Sequence, residues 1–158
     1  MSTTQTAQRS APLWFIDGLA QIHVSGEETD GRYAVLEILS PEGDMPPLHV
    51  HHEEDEVFHL IDGRVTLFLP GREVPLSSGE TFRAPQGIPH TYRVESPTAR
   101  WLVFCAPARF DAFVRAVSEP AAAAELPPRG RPVDPERFAA EAAQQGIELL
   151  GPPGALPE

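Results

Sequence analysis

Five of the six histidines in this 158-residue chain fall between positions 49 and 90. Three stand together in His49-Val50-His51-His52, directly before the acidic stretch Glu53-Glu54-Asp55-Glu56. Side chains alternate faces along a strand, so His49 and His51 point the same way while Val50 points to the other side. From Glu56 onward, Phe58 and Leu60 share its face, and Val57, His59 and Ile61 take the opposite one. A turn over Glu53 to Asp55 brings Glu56 back over the histidine pair. Farther along, Pro85-Gln-Gly-Ile-Pro-His90 is a tight Pro and Gly turn that delivers a lone histidine to the start of another strand. Three imidazole nitrogens and one carboxylate oxygen form a ligand set for one divalent transition metal. Nickel, manganese, iron and cobalt all accept it, as do zinc and copper.

The remaining polar residues of this region invite plainer readings. By parity His52 and His59 point away from the converging group, which makes them surface or interface histidines, and His23 has no partner in sequence. Glu53, Glu54 and Asp55 read as a solvated turn. Phe58, Leu60 and Tyr92 are in phase with the four ligands, so they point inward, to fill a core or to wall a small-molecule pocket.

The elements that position these residues are short strands. Eighteen prolines, about one residue in nine, sit beside glycines and divide the first two thirds of the chain into short pieces. The segments 20–24, 32–39, 57–61, 65–69, 73–76, 81–84, 91–94 and 100–105 are rich in β-branched, aromatic and leucine residues, a pattern that predicts a sandwich or barrel. Asp62-Gly63 and Pro70-Gly71 each read as a hairpin turn, giving a β-meander. Both faces of 32–39 and 100–105 are apolar, which leaves these two strands unphased and makes pairing into a homodimer an expectation. After Pro107 the composition turns to alanine. Phe110, Phe113, Val114 and Val117 recur at helical spacing, predicting a helix over 109–118. Asp134-Pro135 is an N-cap and first-turn pair that starts a second helix over 135–145, with Gly146 to close it. Segments 119–131 and 151–158 read as linker and tail. The expected division is a flexible terminus (1–12), a barrel (13–106), a helical extension (107–150) and a tail (151–158).

Length and composition fit one domain. Twelve Lys and Arg against 23 Asp and Glu leave a net charge of −11, a field that repels nucleic-acid phosphates and anionic lipid headgroups. With no membrane-length apolar run and no signal-peptide pattern, a cytoplasmic protein is expected. Cys105, the only cysteine, lies in an apolar run and reads as a buried, inert thiol.

Gly43-x5-His49-x-His51-x4-Glu56-x6-Gly63 resembles the first cupin motif at every defined position. Gly79-x5-Pro85-x-Gly87-x2-His90 resembles the second as far as its histidine, although Val94 stands where that motif ends in asparagine. Residues 30 to 106 therefore look like a single-domain cupin, an all-β jelly-roll barrel followed by short C-terminal helices. The phrase Pro47-Leu-His-Val-His-His-Glu-Glu-Asp-Glu56-Val-Phe is similar to the bacterial quercetinase-like, or flavonol dioxygenase-like, branch. That resemblance implies a dioxygenase whose metal sits on His49, His51, Glu56 and His90, with a small hydroxylated aromatic substrate and dioxygen as partners. Glu56 would accept the substrate's proton, after which the heterocycle opens and carbon monoxide leaves. Phe58, Leu60 and Tyr92 would wall the planar substrate. Two other readings of the same ligand set stay open, a non-redox polyketide cyclase or isomerase using the metal as a Lewis acid, and a metal-bearing module that binds a small aromatic ligand without turning it over.

Overall fold

A computed structural model describes residues 10–158. In chain order these are β1 (Pro12–Phe15), β2 (Gly18–Val24), a 3-10 turn (Glu27–Thr29), β3 (Ala34–Pro41), β4 (Pro47–His51), β5 (Asp55–Asp62), β6 (Arg64–Leu69), β7 (Arg72–Ser77), β8 (Thr81–Ala84), β9 (Thr91–Val94), β10 (Thr98–Ala106), α1 (Phe110–Val117), β11 (Glu119–Pro120), α2 (Pro135–Gln144) and β12 (Ile147–Pro153). One long antiparallel sheet has the order β11-β1-β2-β3-β10-β5-β8, and two small sheets, β7-β6-β9 and β12-β4, complete an all-β jelly-roll barrel. A backbone bridge between His49 and His90 ties the two small sheets together just ahead of β9. None of the helices among the described residues is long and apolar enough to cross a membrane.

The phase of the two doubly apolar strands follows from their pairing. Residues directly opposite in an antiparallel pair share a face. Ala34, Leu36 and Ile38 oppose Cys105, Val103 and Trp101, and all six are buried. On the outer face Phe104 stacks on Tyr33 at 5.6 Å, and Glu37 is held by both His23 and Arg100. Inward-facing Phe58 and Leu60 of β5, Val65 and Leu67 of β6 and Val94 of β9 meet the β3 and β10 residues in one core. Each fully buried side chain of this size contributes about 1.5–3 kcal/mol relative to exposure. Val94, where the motif has asparagine, is simply part of that core. Burial pushes the Cys105 thiol up, reinforced by the charges of Glu56 and Glu54, as suits an unreactive thiol.

Several expectations are corrected. Pro70-Gly71 is a two-residue hairpin closed by the pair Leu69 and Arg72, but Asp62-Gly63 is not, because β5 pairs with β10 and β8 while β6 pairs with β7 and β9. The chain crosses from one sheet to another there. Gly63 has φ 101°, and a Cβ on it would meet the Thr98 carbonyl oxygen at 2.5 Å. The segment read as a linker contributes β11, which extends the long sheet beside β1. Gly151 to Pro153, at the start of the expected tail, belong instead to β12, which pairs with β4. The expected flexible terminus falls mainly on residues 1–9, outside the described residues, and Pro12 already belongs to β1.

Both helices form as the spacing predicts. Asp134 accepts from the Glu136 and Arg137 amides and Pro135 occupies the first turn of α2. Phe15 sits edge-on to Phe110 and Phe113 of α1 at 6.1 and 6.0 Å, and Phe138 of α2 packs on Phe113 at 5.1 Å. The crossover at residue 63 generates a prediction. Gly63→Ala combines a disfavoured φ with a backbone clash and should cost at least ~2 kcal/mol in urea unfolding. Gly71→Ala, at φ 65° with nothing within 4 Å, should cost only ~1 kcal/mol. Equal losses would argue against the crossover.

Candidate metal centre and cavity

The backbone brings the four residues together before any side chain acts. The His49 amide donates to the His90 carbonyl at 3.2 Å and the His90 amide returns a bond to His49 at 2.9 Å. The Gly87 amide donates to the His51 carbonyl at 2.7 Å, clamping the 85–88 turn onto β4. On its other edge β4 is paired by β12, Ile147 opposite His51 and Leu149 opposite His49. His49 is thus 5.1 Å from His51 and 4.5 Å from His90, ring centre to ring centre. Glu56 Oε2 lies 3.1 Å from Nε2 of both His51 and His90. The ligand atoms of His49, His51, Glu56 and His90 all lie within 4.8 Å of one another, so this group can hold a metal ion.

Every ring has an acceptor at its outer nitrogen. His49 Nδ1 faces the Pro47 carbonyl at 2.8 Å, His90 Nδ1 the Ile88 carbonyl at 3.0 Å, and His51 Nδ1 the Glu54 carboxylate at 2.6 Å. An acceptor at Nδ1 places the ring proton there and turns the Nε2 lone pair inward. His51 Nε2 is buried with no hydrogen-bond partner. It faces a carboxylate oxygen at 3.1 Å, and two lone pairs at that distance require a positive charge between them, either a proton or a metal ion. The four donors therefore fit a divalent transition metal.

The electrostatics state the same requirement. Burial, with the neighbouring rings of His90 and His51, pushes His49 down to about 3. Burial also favours a neutral His51, but the charge of Glu56 and the hydrogen bond to Glu54 override it and raise that ring to about 10. Burial would raise Glu56, yet the charge of His51 and the hydrogen bond with His90 hold it well below the usual carboxylate range. A metal must displace the His51 proton, so affinity should rise with pH.

The reading of Glu53 to Asp55 as a solvated turn is corrected at its centre. Glu54 is 1% exposed, and besides orienting His51 its second oxygen accepts the Phe110 amide at 3.1 Å, satisfying a free N–H at the start of α1. Its neighbours behave as expected, with Glu53 paired to Arg109 and Asp55 to Arg83. His52 meets Glu148 across β12, His59 meets Thr81, and His23 meets Ser10 and Glu37, all outside the cluster. The position of Glu54, three residues after His51 in an acidic run, was a signal in the sequence, but parity says nothing about a turn.

His49, His51 and Glu56 line a narrow cavity of about 70 Å³. Phe58 and Tyr92 line it together with Trp101, Phe110, Phe113 and Phe138. Leu60, expected there too, is instead enclosed in the core with no exposed surface. The helical aromatics reach the cavity because α1 and α2 lie over the barrel, a tertiary placement that strand parity does not contain.

Residues 35–105 match the family model described as a cupin domain. Those residues form a cupin domain. Over 104 residues, 66% of its length, the chain is 29% identical to quercetin 2,3-dioxygenase of Bacillus subtilis (strain 168), spanning only 31% of that protein. The fold is similar to that of an RmlC-like cupin from Shewanella frigidimarina NCIMB 400, with TM-score 0.57 at 17% identity, covering 70% of this chain and 96% of that one. It is also similar to a predicted oxalate decarboxylase from Thermotoga maritima, with TM-score 0.56 at 15% identity, covering 67% and 99%. At these identities the two structures speak for the cupin fold alone.

The anchoring of the rings can be tested without knowing the substrate. Glu54→Gln keeps the shape but weakens the hold on His51, and metal affinity should fall by roughly 10- to 100-fold, the usual cost of losing such a partner. His51→Ala and His90→Ala should lose most bound metal, by elemental analysis, while far-UV circular dichroism stays that of the folded barrel. Full occupancy in both histidine variants would refute the site.

Proposed function

We propose that this cupin is a metal-dependent dioxygenase acting on a hydroxylated aromatic substrate of flavonol or polyketide type, with the metal on His49, His51, Glu56 and His90. The observation that carries this reading is that three pre-oriented imidazoles and one carboxylate open onto a cavity walled by aromatic rings. The similarity to the Bacillus quercetin 2,3-dioxygenase supports it over the part of that protein this chain spans. A divalent transition metal held there would supply Lewis acidity to a substrate oxygen.

The chain's own residues do the rest. Phe58 and Phe110 flank the histidines, with ring centres 6.2 Å from His90 and 6.0 Å from His51, and orient a flat substrate while excluding water. Glu56 is buried and is the one carboxylate among the four donors, so it is the group that takes the proton of an arriving substrate hydroxyl at Oε2. Loss of the proton makes the flavonol electron-rich enough to react with dioxygen, and the heterocycle opens with release of carbon monoxide. A cytoplasmic location and pairing into a homodimer, with Phe104 40% exposed on the outer face, belong to the same reading.

Flavonol added to nickel-, manganese-, iron- or cobalt-loaded protein should consume dioxygen at an electrode and release carbon monoxide into the headspace. Silence with all four metals would favour a non-redox cyclase or a binding module. In Glu56→Gln the amide oxygen can still approach the metal but cannot take a proton. Metal content should fall only modestly while turnover drops by roughly 10²- to 10⁴-fold, with partial rescue at higher pH where the substrate ionises unaided. Near-normal turnover at neutral pH with metal bound would remove Glu56 from the proton path.

A further inference from the structure

The cavity wall holds polar groups that the histidine cluster does not use. Ser40 Oγ and Trp101 Nε1 are buried and have no hydrogen-bond partner, each residue being 1% exposed. Both line the cavity together with Asp44 and Tyr92. The Tyr92 hydroxyl donates to Asp44 Oδ2 at 3.4 Å, and the Tyr92 ring lies edge-on to Trp101 at 4.4 Å. Asp44 is fixed through its backbone, its amide donating to the Pro41 carbonyl at 3.1 Å and its carbonyl accepting the Val94 amide at 3.0 Å. Ser40 lies beside Asp44 and favours its charged form. Phe58 touches both polar regions, its ring 6.2 Å from His90 and 5.7 Å from Trp101.

A buried donor left unpaired costs about 1–3 kcal/mol, and two of them facing one apolar cavity are a cost that a bound ligand can remove. Resting on the aromatic substrate argued above, we propose that Ser40, Asp44, Tyr92 and Trp101 form a second polar contact for that substrate, taking a neutral hydroxyl carried on its aromatic body away from the oxygen that meets the histidine cluster. The donor and acceptor inventory selects this group. Trp101 offers a donor only, Ser40 a donor and an acceptor, and Asp44 acceptors. A hydroxyl donates one hydrogen bond and accepts two, so it can donate to Asp44 while accepting from Trp101 and Ser40. A carboxylate or phosphate would face Asp44 in a chain of net charge −11. An ammonium group would bond to Asp44 but leave the indole N–H unpaired.

Zinc-loaded protein, which binds without consuming the ligand, allows the test by calorimetric titration with 3-hydroxyflavone, 3,4′-dihydroxyflavone and 3,7-dihydroxyflavone. At least one dihydroxy compound should bind about tenfold tighter than 3-hydroxyflavone. In Ser40→Ala, Asp44→Asn and Trp101→Phe that advantage, taken as the ratio of the two affinities within each variant, should fall below threefold. Ser40→Ala removes an unpaired hydroxyl, so it should melt no lower than the parent, whereas a structural serine would cost stability. The proposal is overturned if the second hydroxyl gives no advantage, if the advantage survives all three variants, or if the 4′-amino analogue binds tighter than the 4′-hydroxyl compound. Failure of 3-hydroxyflavone to bind would instead count against the flavonol reading. In that case naphthalene and 2-naphthol on the same protein decide the polar contact alone, a gain for the naphthol that Asp44→Asn abolishes supporting it and no gain overturning it.

Discussion

Three imidazoles lining one buried cavity can present the same nitrogen to one point only if each has somewhere to put its other N–H. The architecture around β4 answers that need with acceptors from different sources. His49 and His90 use the carbonyls of Pro47 and Ile88, each two residues back along their own chain, so these rings are oriented by the backbone that delivers them. His51 uses Glu54, a carboxylate buried for the purpose, whose other oxygen holds the first turn of α1. Ring orientation, the acidic turn and the helix over the cavity are therefore linked. Disturbing α1 should reach the histidines through Glu54.

The same economy governs the strand itself. β4 is only five residues long, yet it is paired on one edge by β12 and bridged on the other by His90. Neither edge is free to shift register, and a one-residue slip would turn both histidines outward. The long sheet supplies Trp101, the small sheet Tyr92, and the two helices Phe110, Phe113 and Phe138, so the cavity has an apolar wall with few polar groups. In such surroundings charge interactions are stronger than in water, which is why the proton or metal between His51 and Glu56 matters so much.

The sequence showed the parts governed by strand parity and motif spacing. His49, His51 and Glu56 share an inward face with Phe58 because side chains alternate, and Pro85 to His90 turns as its prolines and glycine require. What it hid depended on distant pairing. Asp62-Gly63 has hairpin composition, and only the partners of β5 and β6 show it to be a crossover. Val35, Leu39, Leu102 and Phe104 made the outer face of β3 and β10 look as apolar as the inner one, so phase came from register. Leu60 had the right parity for the cavity but lies too deep in the core to line it. Gly151 to Pro153 looked like a tail because glycine and prolines are poor strand formers, yet an edge strand tolerates them. Glu54 was missed because an acidic run is ordinarily solvated, and nothing local told which of its members would be drawn inside.

The central claim is that three Nε2 atoms and one carboxylate oxygen surround a single ion. X-ray absorption spectroscopy of the cobalt- or nickel-loaded protein tests it most directly. The account predicts one metal per chain, a first shell of nitrogen and oxygen at about 2.0–2.2 Å, and outer-shell scattering that fits three imidazoles. A shell fitted by one imidazole or none, with the ion held by surface carboxylates, would contradict it.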